Sequence, residues 1–359
     1  MSSSPAKLPR VLIVDDSAFM RRMASQIIEG SSEFVVAGTA RDGLDALKQI
    51  HALEPDIVTL DVDMPEMDGL SALGHIMSEM PRPVVMLSAG TTNGGQEATL
   101  RALELGAVDF VLKPSGSISL DLALITERLL DALRAAAAAN MAGPRMLPRR
   151  SLEGARPAIA GRARATTAVV IACSTGGPRA LAAICPHFPA TMPAAVLIVQ
   201  HMPAGFTKSL AQRLDRACPM QVGEAELGES VVHGRVYVAP GGFHMKVVDD
   251  GTGPTIALER TAAIWGVRPA ADVLFRSAAA VFGSSTVAVV LTGMGRDGAE
   301  GTRAIRVTGG RAIVQDRETA TIFGMPQSTL QLAGADRMAS LADIGPAIAE
   351  FVEMVRHVP

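Results

Sequence analysis

Val11-Leu12-Ile13-Val14-Asp15-Asp16 sets a four-residue apolar run directly against two carboxylates. A run that short, without polar alternation, is the pattern of a strand buried on both faces. The texture returns at 34–37, 57–60, 84–87 and 108–112, and the intervals carry apolar residues at helical spacing, as in Phe19-Met23-Ile27 and Leu44-Leu47-Ile50. Strands alternating with amphipathic helices predict an open parallel sheet covered on both faces. Such a sheet presents the carboxyl ends of its strands along one rim, where ligands bind. Asp61 follows Leu60, Ser88 follows Leu87 and Lys113 follows Leu112. Carboxylates, a hydroxyl and an ammonium are therefore predicted to meet there.

Carboxylates brought together repel and call for a hard cation, and Mg2+ takes oxygen ligands while bridging to phosphate. Lys113 adds a compact positive charge for phosphate oxygens. The set suits a carboxylate nucleophile that accepts a phosphoryl group. One aspartate at a strand end is ordinarily a solvated loop residue; four strand ends with complementary chemistry are not.

At 359 residues the chain exceeds the size at which a single core keeps growing, so two domains are expected. The boundaries fall at 9–135, 136–165 and 166–359. The middle segment is a linker, because Pro144, Pro148 and Pro157 are interleaved there with arginines and apolar periodicity is lost. A formal charge of -3 and the lack of a basic, aromatic-rich stretch argue against nucleic-acid binding by bulk electrostatics. No apolar run approaches the roughly 18 to 20 residues a bilayer needs, and the first ten residues lack a signal-peptide core. A cytoplasmic protein with no direct membrane insertion is expected. Cys173, Cys185 and Cys218 lack metal or disulfide spacing and are expected to be buried thiols, with Cys173 open to alkylation.

The second half repeats the strand texture at 169–172, 196–199, 235–239 and 287–291. Ser174, His201 and Asp297 each follow one of these runs, as a nucleophile, a base and its orienting acid would. Ser174 lies in Ala172-Cys173-Ser174-Thr175-Gly176, one residue from the G-x-S-x-G elbow, but the chain order Ser, His, Asp differs from that of α/β-hydrolases. The glycine-rich stretch from Leu291 to Gly298 is also open to reading as a phosphate cradle, although the P-loop lysine is missing. His187 and His357 look like surface residues, His233 like a turn residue, and His244 is a candidate pocket residue. Three alternatives stand beside a hydrolase: a DNA-binding output, a noncatalytic adaptor, and an unrelated hydrolase or amidase fused to a switch domain.

Val-Asp-Asp-Ser at 14–17, Leu-Asp-Val-Asp-Met-Pro-Glu-Met-Asp-Gly at 60–69, Ser88 and Asp-Phe-Val-Leu-Lys-Pro at 109–114 resemble a response-regulator receiver domain. The resemblance implies a flavodoxin-like doubly wound sheet with Asp61 as phosphoacceptor. It also implies Mg2+ held by Asp16, Asp61 and the Asp63 carbonyl, with Asp15 assisting through water, and Ser88, Phe110 and Lys113 as switch residues. The segments around Ser174, His201 and Asp297, with 237–245, 268–275 and 323–326, resemble the catalytic domain of the chemotaxis protein-glutamate methylesterases, the CheB family. That likeness implies a Rossmann-like parallel-sheet domain in which Ser174, His201 and Asp297 are catalytic and Thr175 and Met294 flank the reacting carbonyl. It further implies glutamate methyl-ester hydrolysis on methyl-accepting chemotaxis receptors, some glutamine deamidation, a chemotaxis histidine kinase as phosphodonor, and no cofactor for the esterase step. The unphosphorylated receiver is expected to cover the catalytic rim. Two departures stand out: Ala172-Cys173 replaces the usual Gly-Ala, with added bulk expected beside the nucleophile, and Ala270 replaces a usual serine.

Overall fold

The computed structural model describes residues 7–90, 93–114, 118–141 and 163–356. Its contacts divide the chain between Met141 and Ala142. The first unit runs β1 (Arg10–Val14), α1 (Ala18–Gly30), β2 (Val35–Ala40), α2 (Gly43–Leu53), β3 (Ile57–Asp61), α3 (Gly69–Glu79), β4 (Val84–Ser88), α4 (Asn93–Leu105), β5 (Asp109–Leu112) and α5 (Ile118–Ala137). All strand pairs are parallel in the order β2-β1-β3-β4-β5, the flavodoxin-like arrangement. Ser17, Asp42 and Asp68 cap α1, α2 and α3 by accepting backbone N–H groups of Met20, Asp45 and Ser71. Each cap satisfies a donor the helix leaves orphaned, so each turn off the rim is fixed by local chemistry. One face of the sheet, with Val11, Ile13, Ile57 and Val85, packs on Ala24, Ile28, Leu129 and Leu133.

The second unit runs β6 (Ala168–Cys173), α6 (Gly177–Ile184), β7 (Ala195–Gln200), α7 (Phe206–Asp215), β8 (Gln221–Glu224), β9 (Arg235–Val238), β10 (His244–Val248) and β11 (Thr255–Glu259). It continues through α8 (Ala271–Phe282), β12 (Thr286–Val290), α9 (Ala299–Val307), β13 (Arg311–Gln315), α10 (Gly324–Leu332), β14 (Arg337–Ala339) and α11 (Leu341–Arg356). Seven parallel strands stand in the order β14-β13-β12-β6-β7-β9-β8, while β10 and β11 form a separate antiparallel pair. β6, β7 and β12 are buried along their whole length. Their Val170, Ala172, Leu197, Val199, Ala288 and Val290 share a core with Leu274, Phe275 and Ala278 of α8.

Four strands of this unit were expected from apolar runs, and the structure adds β8, β13, β14 and the β10–β11 pair. Apart from β13, the additions have physical causes: β8 (QVGE) and β14 (RMA) are edge strands with little to bury, and Lys246 interrupts β10 of the pair. The boundaries also differ from 136 and 165. Helix α5 continues through Ala137, Ala139 and Met141 pack on the first core, and Ala163, Arg164 and Ala165 already pair with residues 231–233. Most of the expected linker, 142–162, lies outside the described residues.

Helix α6 begins after Gly176, which sits at φ 80° with the Thr321 hydroxyl 2.5 Å from where a Cβ would stand. An L side chain there meets both the left-handed penalty of about 1–2 kcal/mol and that contact. Gly176→Ala is expected to lower stability by at least about 1 kcal/mol, read by denaturant unfolding of the chain's single tryptophan, Trp265.

Candidate active site

Register brings Ser174 and His201 together. Cys173 pairs with Gln200 across β6 and β7, so the next residues, Ser174 and His201, leave adjacent parallel strands side by side, about 4.8 Å apart in the pairing direction. The His201 N–H donates to the Cys173 carbonyl at 3.1 Å, and the Gln200 side-chain amide donates to the carbonyls of both Ser174 (3.0 Å) and His201 (3.2 Å). On the other side of β6, β12 carries the third group. The Ser174 N–H donates to the Thr292 carbonyl at 3.0 Å, and a Cβ on Gly293 would lie 2.8 Å from the Ser174 Cβ. The loop after β12 thus passes against Ser174, and only glycine fits at its closest point.

His201 Nε2 and Asp297 Oδ2 are 2.7 Å apart. The carboxylate is buried and accepts three backbone N–H groups as well: Ala271 at 2.6 Å, Asp272 at 2.9 Å and Gly298 at 3.0 Å. Two of these donors open α8, whose N-terminal dipole favours negative charge. Burial pushes the Asp297 pKa upward, but the His201 hydrogen bond and charge, with the backbone donors, outweigh it and hold the carboxyl below its ordinary range. Nε2 is thereby committed to Asp297, and Nδ1 is the other ring nitrogen. This is the reverse of the serine-protease template, in which the acid takes Nδ1.

Thr175 is buried, with its carbonyl accepting the Thr292 hydroxyl at 2.9 Å. Met294 stands exposed at the crest of the β12 loop, and its backbone N–H bonds to no other described residue. Cys173 is fully buried, its thiol directed at the Val199 carbonyl (3.7 Å), and burial pushes its pKa well up. The expected openness to alkylation is therefore wrong, since the thiolate is suppressed and shielded. The added bulk is divided: the Ala172 methyl lies in the α8-facing cluster, 3.2 Å from where a Cβ on Gly298 would stand, and the Cys173 Cβ lies 3.0 Å from where one on Gly177 would stand, at the start of α6. Ala270 occupies the cap position of α8 and offers no side-chain oxygen, so Asp297 supplies that cap from a different loop. His244 is buried, with its Nε2 bonded to the Ala262 carbonyl and Nδ1 accepting the Ala270 N–H. It is a satisfied structural histidine. His187 is exposed, and His357 lies outside the described residues. Sequence reasoning missed Gln200, Thr292, Ala271 and Asp272 as supports; a polar residue closing a wholly apolar strand was the available sign for Gln200.

In the first unit the rim holds Asp15, Asp16 and Asp61, whose ligand oxygens lie within 4.8 Å of one another. Hard oxygen donors at that spacing fit Mg2+. Lys113 Nζ stands between Asp15 (2.7 Å) and Asp61 (2.6 Å). Burial raises the Asp61 pKa to about 6, with Lys113 and the Asp63 backbone hydrogen bond pulling down and Asp15 pushing up. Burial opposes the Lys113 charge, yet its bonds and attraction to Asp15 and Asp61 keep its pKa above the usual value. The Asp63 side chain is exposed, which leaves its main chain as the part directed at the cluster. Ser88 is buried, accepting from the Thr99 hydroxyl at 2.9 Å and the Gly90 N–H at 3.3 Å, and Phe110 is half-buried on β5.

A flavodoxin-like receiver followed by a parallel-sheet domain with an acid–imidazole pair beside a serine defines a response regulator with a hydrolytic output. Residues 11–124 match the response regulator receiver domain family and residues 169–348 match the family described as CheB methylesterase. A protein-glutamate methylesterase/protein-glutamine glutaminase of Symbiobacterium thermophilum is 46% identical over 370 residues, covering 98% of this chain and 99% of that relative. One of Pyrococcus abyssi is 45% identical over 352 residues, covering 97% and 94%. The crystal structure of the Thermotoga maritima CheB methylesterase catalytic domain is similar with a TM-score of 0.50 at 44% identity, covering 51% of this chain and 97% of that one. The chain belongs to the CheB methylesterase family.

The Asp61 carboxyl is expected to titrate near pH 6 in metal-free buffer, followed by carboxyl 13C NMR. Lys113 favours the ionised form, so Lys113→Met moves the midpoint upward by about one unit or more. A midpoint near pH 4 in the parent protein contradicts the desolvation assigned to Asp61.

Proposed function

We propose that the chain hydrolyses glutamate methyl esters on methyl-accepting chemotaxis receptors, releasing methanol, and deamidates receptor glutamine by the same attack. The observation that carries this is the His201–Asp297 pair held in register beside Ser174. Ser174 Oγ attacks the ester carbonyl as His201 Nδ1 takes its proton, and Asp297 stabilises the imidazolium through Nε2. The unpartnered Met294 N–H, on the loop against Ser174, is placed to meet the developing oxyanion. Collapse of the tetrahedral intermediate breaks the bond to the methoxy oxygen, which leaves as methanol with the proton from Nδ1. Water, deprotonated by the same nitrogen, then cleaves the acyl-enzyme to give glutamate and free Ser174. For a glutamine side chain the leaving group is ammonia.

Control resides in the receiver. Asp61 accepts the phosphoryl group from a chemotaxis histidine kinase, and Asp15, Asp16, Asp61 and the Asp63 carbonyl would hold the Mg2+ that neutralises the incoming charge. Lys113 pairs with a phosphoryl oxygen, and the Ser88 hydroxyl exchanges Thr99 for another, with Phe110 following. Phosphorylation thereby shifts the population toward an active form. No described helix is long and apolar enough to cross a membrane, in keeping with action in the cytoplasm on the receptors' interior region.

Methanol release from methylated receptor fragments is expected to fall to background in Ser174→Ala with Trp265 fluorescence unchanged, and about 10^3 to 10^4-fold in Asp297→Asn. Asp61→Asn keeps basal turnover and loses stimulation by acetyl phosphate. Turnover retained in Ser174→Ala sinks the assignment.

A further inference from the structure

We infer that Trp265 and Asp272 are positioning residues for Asp297, closing with Arg296 a ring of contacts that grips the catalytic acid from both sides along the chain; the inference rests on the hydrolase reading above. The loop that carries Asp297 is poor at holding it unaided. Gly295 and Gly298 both lie at positive φ (93° and 92°), and Met294, Gly295 and Arg296 are exposed. A general base must be aligned to a fraction of an ångström, so a mobile acid behind it defeats the arrangement.

The ring supplies the missing constraint. The Arg296 guanidinium lies 3.6 Å over the Trp265 ring. Trp265 Nε1–H donates to Asp272 Oδ2 at 3.0 Å. Asp272 Oδ1 in turn accepts the N–H groups of Gly298 (3.1 Å) and Gly301 (2.7 Å), which pins the start of α9. Arg296 and Gly298 flank Asp297 in sequence, so the chain is clamped immediately before and immediately after it. Asp272 also donates its own N–H to Asp297 Oδ1, and Asp297 and Asp272 thereby exchange roles: each carboxylate caps the helix start beside the other.

Two features make a merely space-filling role a poor account. Asp272 is 1% exposed beside a second buried carboxylate, and burial together with the Asp297 charge raises its pKa. Such a pairing is costly and needs its donors. Trp265 is 46% exposed and takes φ 55°, so it neither fills a core nor relaxes its backbone. Its one inward polar contact goes to Asp272. Strain of that kind at a non-glycine residue marks a conformation imposed by its surroundings.

Trp265→Phe keeps a ring under Arg296 and removes the indole donor. Asp272→Asn keeps the backbone donor to Asp297 and removes the charge. Arg296→Gln, at an exposed site, removes only the cation over the ring and serves if either core-facing change fails to fold. Trp265→Phe and Asp272→Asn are expected to lower kcat for methanol release roughly ten- to hundredfold with KM unchanged, and Arg296→Gln to lower it less. All three are expected to speed water exchange of the His201 Nε2–H proton in NMR spectra. A loss that tracks only the fraction folded, or an unchanged exchange rate, overturns the brace. The exchange rate is read without turnover, so absence of methanol release in the parent chain overturns the hydrolase reading separately.

Discussion

A carboxylate is kept ionised out of contact with water at Asp297. Four donors do it: the His201 ring, two N–H groups from the first turn of α8 and the Gly298 N–H. Withdrawing a carboxylate from water costs several kcal/mol unless its lone pairs are met, and here they are. Because Oδ2 takes Nε2, the imidazole is held at that ring nitrogen. Because Ala270 has no hydroxyl, the same carboxylate also closes the start of α8. The helix start and the orientation of the His201 ring therefore depend on one group.

The receiver treats its carboxylates in the opposite sense. Asp61 is buried with an acidic neighbour and a single lysine, and its pKa rises instead of falling. Three carboxylates around one ammonium leave negative charge unmatched, which is the condition a divalent cation meets. Both rims arise from the same geometry, parallel strands releasing their carboxyl ends in one direction. At Asp297 the His201 hydrogen bond and charge, with the backbone donors, outweigh burial, whereas at Asp61 burial, with Asp15 adding to it, outweighs Lys113.

The strands that carry these groups were legible because they are buried on both faces, and burial writes an apolar run into the sequence. β1, β3, β4, β6, β7 and β12 are of this kind, and each delivers a site residue or precedes one. Asp15, Asp61, Ser174 and His201 could be placed by position after such runs, Lys113 after the shorter apolar run of the half-buried β5, and Asp297 by the glycine-rich turn. Edge strands β8 and β14 carry no such signature, since one side of each faces no partner strand. The supports of the acid were illegible for another reason. Ala271, Asp272 and Gly298 act mainly through backbone N–H groups, which every residue type but proline possesses. Trp265 is unique in the chain, yet nothing in its local sequence points to a carboxylate seven residues on. The ring tautomer was equally hidden, because the serine-protease template assigns the acid to Nδ1.

Nitrogen-15 NMR of the His201 ring in the resting protein at neutral pH tests the central claim most directly. The pairing of Asp297 with Nε2 predicts a proton fixed on Nε2, and loss of that fixed position in Asp297→Ala. A ring protonated only at Nδ1, or a tautomer mixture indifferent to Asp297, would contradict it.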